Sequence, residues 1–135
     1  DVTVQAQILR LLKDLKREYG ISILFITHDI AVASIIADSI MVLYAGQLME
    51  LGSAKSVIHE PKHPYTQALL SSIPRISKTE GKLPIIGGSV PNLLNPPSGC
   101  RFHPRCPFRM DICSKAVPNL IKVNDVYVRC FLYGQ

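Results

Sequence analysis

The stretch Ile21-Ser-Ile-Leu-Phe-Ile-Thr-His28-Asp29 decides the fold. Its first seven residues are nearly continuous in apolar character and rich in β-branched and aromatic side chains, the pattern of a strand buried on both faces. Such a strand belongs in a parallel sheet with helices on both sides. Asp29 stands where it can cap the helical pattern that resumes over residues 30–38. Upstream, Val4, Ile8, Leu11, Leu12, Leu15 and Tyr19 recur every three or four residues, an amphipathic helix that Asp1 or Thr3 can cap and Gly20 ends. Downstream, two strand-like runs over 39–44 and 47–51 flank Ala45-Gly46, a hairpin signal. The order helix, strand, helix, strand, strand predicts an α/β fold.

Beyond residue 52 the helical pieces shorten. Ser53 is placed to cap a helix ending at His59, and Pro64 to start another running to Ile73. All ten prolines lie at or after Pro61, and residues 76–98 hold enough Pro and Gly to predict a loop. Charge shifts at the same place: residues 1–60 carry five basic and seven acidic side chains, residues 61–135 ten basic and three acidic. Two parts, 1–60 and 61–135, are expected.

A chain of 135 residues that is 47% hydrophobic and 19% charged is long and apolar enough to fold around a core, and too short for a large multidomain enzyme. His28, Asp29 and Asp38 interrupt its apolar runs well below the roughly 18 residues of a membrane span. The opening Asp-Val-Thr-Val is not a secretory leader, and without an initiator Met it suggests a fragment.

His28 follows the C-terminal end of the expected strand, where open α/β sheets bind ligands. The residues Asp1-Val-Thr-Val-Gln-Ala-Gln-Ile, Leu24-Phe-Ile-Thr-His28-Asp29, Ala37-Asp38, Tyr44-Ala-Gly46 and Glu50-Leu-Gly52 resemble the end of an ABC-transporter nucleotide-binding domain. The resemblance implies a P-loop ATPase sheet. It sets Asp1 at the end of the D-loop, between two such domains, and His28 as the switch histidine that contacts the γ-phosphate of ATP. An imidazole donor there suits phosphoryl transfer, which depends on positioning and on stabilising charge. The phosphate-binding G-x-x-x-x-G-K-S/T motif is absent, as are the LSGGQ-type signature and the Walker B carboxylates. This chain alone is not expected to hydrolyse ATP.

Glu60-Pro-Lys-His63-Pro64-Tyr65-Thr66, Gly87-Gly-Ser-Val-Pro91-Asn92 and Gly99-Cys100-Arg-Phe-His103-Pro104-Arg105-Cys106-Pro107 are similar to the C-terminal region of oligopeptide and dipeptide importer ATPases. The similarity implies ATP and Mg2+ as cofactors of the complete subunit, at the cytoplasmic face of the cell membrane. It implies as partners a second ATPase subunit, membrane permease subunits and an extracellular peptide-binding protein. Peptides and nickel-type cargo are not distinguished. His63 and Tyr65 read as a helix start and a packed ring.

Cys100, Cys106, Cys113 and Cys130 cluster in the last 36 residues with spacing C-x5-C-x6-C-x16-C. Four thiolates can hold an iron-sulfur cluster or zinc, although close C-x2-C knuckles are missing; two disulfides or free thiols are the other readings. The resemblance implies a 4Fe-4S cluster in this region, and a reducing compartment disfavours disulfides. Arg101, Arg105 and Arg109 stand ready to offset the charge of such a group. A self-standing metal-stapled regulatory module, or a nucleic-acid binder using Arg101, Phe102, Arg105, Phe108 and Arg109, is the competing class. A net +7 is modest for nucleic acid, and none is expected as a partner. A truncated sheet would expose apolar surface on residues 4–27, predicting dimerisation.

Overall fold

The computed structural model describes residues 2–73 and 87–134. The chain forms two compact units, Asp1–Ala37 and Asp38–Gln135.

In the first unit, α1 (Val2–Tyr19) follows the amphipathic spacing, with Lys16 and Arg17 in its last turn, where positive charge complements the helix dipole. Gly20, at φ +63, ends it, and its amide donates to the Lys16 carbonyl at 3.0 Å. The helix α2 (Ile30–Ile36) starts as expected at Asp29, whose carboxylate accepts from the amides of Ala31 at 2.9 Å and Val32 at 3.1 Å.

Residues 21–27 correct the sequence reading, because they carry no strand ladder among the described residues. A strand is defined by the neighbour that satisfies its backbone groups, and apolar content cannot supply one. Leu24 and Ile26, expected in a core, are 89% and 88% exposed.

The second unit holds one antiparallel sheet in the order β1-β2-β4-β3, built from β1 (Ser39–Tyr44), β2 (Gln47–Ser53), β3 (Ile121–Val123) and β4 (Val126–Val128). Ala45 at φ 48 and Gly46 at φ 78 turn the first hairpin, the conformation that two-residue loops favour because it matches strand twist. Tyr44 pairs with Gln47, Leu43 with Leu48 and Val42 with Glu50, so β2 has an extra residue, Met49. That bulge explains why consecutive residues Met49 and Glu50 are both buried, against strict alternation. Gly52 pairs with Val126, and a Cβ there would stand 2.6 Å from Val126 Cγ1.

The C-terminal part is therefore not merely an irregular extension. It supplies two of the four strands, and the charge boundary near residue 60 runs inside the second unit. On this sheet sit α3 (Ala54–His59), capped by Ser53 through a 3.1 Å bond from the Ser56 amide, and α4 (Pro64–Ser71). Tyr44, Tyr65 and Phe102 form an aromatic trio, with centroids 4.6 to 5.2 Å apart and rings steeply inclined, as ring quadrupoles prefer. Met49, Cys100 and Cys113 complete the core around Tyr44 and Phe102. The expected loop over 76–98 falls partly on undescribed residues; over 87–98 no helix or strand forms.

Candidate functional site

His28 sits in the bend before α2 with an exposed side chain. The Asp29 amide donates to Thr27 Oγ1 at 3.0 Å, so Thr27 and Asp29 fix the backbone on either side of the imidazole. Asp1 lies outside the described residues.

The four cysteines are free, and all line one cavity in the second unit together with His63 and Phe131. Backbone geometry brings them there. Gly99, at φ +65, passes so close to the next loop that a Cβ would meet the Cys113 carbonyl at 2.4 Å. The Cys100 amide then donates to that carbonyl at 2.9 Å, and Ser98 Oγ donates to the Ser114 carbonyl at 2.6 Å. Successive turns at residues 100–106 and 110–113 present Cys106 and Cys113, and the Cys113 amide donates to the Met110 carbonyl at 3.0 Å. Cys130 arrives by a different route, past β4. The Arg129 amide extends the ladder to the Met49 carbonyl at 2.9 Å, while its guanidinium donates to the carbonyls of Leu48 and Pro118.

Burial pushes the Cys130 thiol up to about 11, and the charges of Cys100, Cys106 and Cys113 push in the same direction. Burial likewise raises Cys100 and Cys106. Cys100, Cys106 and Cys130 are thereby held mainly protonated until something compensates the charge. Among the described residues no three His, Cys, Asp or Glu side chains are gathered as a metal site. Four cysteines lining one cavity are nonetheless the donor type and number that a thiolate-held group takes, and His63, which lines the same cavity, has an orphaned ring nitrogen.

His63 is 1% exposed and caps α4: its Nδ1 accepts the Tyr65 amide at 3.0 Å. Its Nε2 is buried without a hydrogen-bond partner, as is Thr66 Oγ1. Burial lowers the His63 pKa from 6.5 to about 4, against a raising pull from the Arg129 backbone. Glu50, fully buried, holds the loop before α4 by accepting from the amides of Lys62 at 2.7 Å and His63 at 2.9 Å. Tyr133 closes the same corner, donating from its hydroxyl to the Lys62 carbonyl at 2.8 Å.

Two of the three arginines in this segment donate to backbone carbonyls. Arg101 donates through Nη1 to the Ala45 carbonyl, and its amide donates to Gln47 Oε1 at 3.0 Å. Arg105 donates to the Gly87 carbonyl at 2.8 Å. Arg101 thus clamps the cysteine segment to the β1–β2 hairpin, Arg105 ties it to Gly87 and, through a 3.4 Å bond to the Tyr44 hydroxyl, to the end of β1, and Arg109 is exposed. Sequence reasoning missed Glu50, whose signal is a lone carboxylate inside Leu48-Met49-Glu50-Leu51. It saw His63 as a helix start but not as part of the cysteine cavity.

Residues 49–113 match the family model for the C-terminal region of oligopeptide/dipeptide transporters. The whole chain is 47% identical to a dipeptide transport ATP-binding protein, DppD, of Caldanaerobacter subterraneus, and 50% identical to the oligopeptide transport ATP-binding protein AppD of Bacillus subtilis. Over 87% of the chain it is 50% identical to the oligopeptide transport ATP-binding protein OppD of Escherichia coli. It spans 42%, 42% and 35% of those proteins' lengths. Similarity running through both units does not favour a self-standing regulatory or nucleic-acid-binding module. The chain belongs to the ATP-binding proteins of oligopeptide and dipeptide ABC transporters and corresponds to their C-terminal region.

Proposed function

We propose that this chain is part of the ATP-binding subunit of a peptide ABC importer, coupling ATP binding and hydrolysis to uptake. The observation that carries this reading is 47% identity over the entire chain to a dipeptide transport ATP-binding protein. In this reading the complete subunit binds ATP and Mg2+ at the cytoplasmic face of the membrane. Its partners are a second ATPase subunit, the permease subunits and an extracellular peptide-binding protein. No helix among the described residues is long and apolar enough to cross a membrane, so the span would belong to the partners. In this reading residues 1–60 belong to the nucleotide-binding domain, and residues 61–135 are an extension that shares one sheet with β1 and β2. His28 donates to the γ-phosphate, where its exposure leaves it free to do so, and Asp1 lies at the contact of two nucleotide-binding domains.

The second part of the proposal concerns the cavity. Cys100, Cys106, Cys113 and Cys130 would hold a 4Fe-4S cluster, with zinc as the other occupant their chemistry accepts. When bound, such a group supplies a covalent staple for a loop-rich segment and, if iron-sulfur, a one-electron couple. Anaerobic purification with iron and acid-labile sulfide analysis, beside Cys113→Ser, separates the two occupants. For the ATPase part, His28→Ala in the complete subunit is expected to lower ATP hydrolysis roughly 100-fold or more while leaving ATP affinity within a few fold. An unchanged rate would remove His28 from the chemistry.

A further inference from the structure

The ring of His63 has its two nitrogens in different situations. Nδ1 accepts the Tyr65 amide at 3.0 Å, so its lone pair is committed. A neutral imidazole with an accepting Nδ1 carries its proton on Nε2. That Nε2–H is buried without a hydrogen-bond partner, in a side chain 1% exposed, and the ring lines the cavity that the four cysteines line. A buried donor left unpaired costs about 1–3 kcal/mol. The Arg129 backbone pulls on the ring without completing a hydrogen bond to Nε2; the other acceptors the cavity can provide are sulfurs, weak as thiols and strong once they carry negative charge.

We propose that His63 donates Nε2–H to an anionic sulfur of the group held in this cavity and thereby raises its reduction potential. The inference rests on the cluster reading above. A hydrogen bond to sulfur stabilises the more negative, reduced state, and such outer contacts are known levers on cluster potential.

His63→Asn is the informative variant, because an Asn side chain caps a helix equally well but places no ring donor in the cavity. The 135-residue chain and this variant, both loaded anaerobically, would be titrated with dithionite and followed by electron paramagnetic resonance. A fall in potential equivalent to a roughly tenfold shift in the reduction equilibrium, about 59 mV for one electron, at unchanged iron content supports the proposal. An unchanged potential overturns it and leaves the cluster reading standing. Wild-type protein with no iron or acid-labile sulfide overturns both. If the variant does not retain iron, the loaded wild-type protein decides: an Nε2–H resonance of His63 carrying a hyperfine shift from the cluster supports the proposal, and one without such a shift overturns it.

Discussion

Single residues in this protein hold charge and dipoles where water is absent. His63 is the sharpest case, since its function as a cap depends on an unprotonated Nδ1. Its pKa is about 4 folded against 6.5 unfolded. Between those values the unfolded chain binds the proton and the folded one does not, so acid favours unfolding. The contribution is complete above pH 6.5 and is lost progressively as pH falls through about 4, amounting to about 3 kcal/mol. Urea unfolding of the metal-free protein, followed by near-ultraviolet circular dichroism of the tyrosine cluster, should show this slope. In His63→Asn the part of the slope between pH 6.5 and 4 should flatten. An identical slope in both proteins would show that the imidazole titrates normally when folded.

At the scale of elements, a left-handed glycine matters only as much as its surroundings. Gly20 and Gly99 have nearly the same φ, +63 and +65, yet a Cβ on Gly20 meets nothing within 4 Å while one on Gly99 meets three backbone atoms within 3.0 Å. Gly20→Ala therefore carries only the conformational cost, about 1 kcal/mol. Gly99→Ala must also push apart the segments that present Cys100 and Cys113, and should cost roughly 3 kcal/mol or more. Chemical denaturation of the two variants tests the difference, and equal losses would refute it. Elements whose determinants are local were legible in the sequence: α1 with its glycine stop, α2 with its Asp29 cap, and the Ala45-Gly46 hairpin. Those whose determinants are distant were not. β3 and β4 have three residues each, too few for an alternation to register, and exist because β2 offers an edge. Residues 21–27 are the converse, with a strand's composition and no partner beside them among the described residues. The same division runs through the cavity. Counting and spacing pointed to four cysteines, but their convergence depends on the β2–β4 ladder and the Gly99 crossing, and the burial of His63 Nε2 depends on both.

For the whole molecule, the two units contrast in how they treat apolar side chains. The second unit buries Met49, Val57, Phe102, Val126 and Val128 at 1% exposure or less. In the first, Leu24 and Ile26 stand almost fully exposed, and Ile21 and Phe25 are 45% and 39% exposed, all within one short stretch. Water penalises such surface by roughly 25 cal/mol per Å², and contiguous patches of this kind drive association. The 135-residue chain is therefore expected to self-associate through residues 21–26, giving a light-scattering mass above 14.9 kDa that rises with concentration. The double substitution Leu24→Glu and Ile26→Glu should return that mass to the monomer value. Because Leu24 and Ile26 lie in the first unit, the tyrosine signal of the second should stay unchanged. A monodisperse 14.9 kDa species from the unsubstituted chain across the same concentrations would show that this stretch is covered in solution.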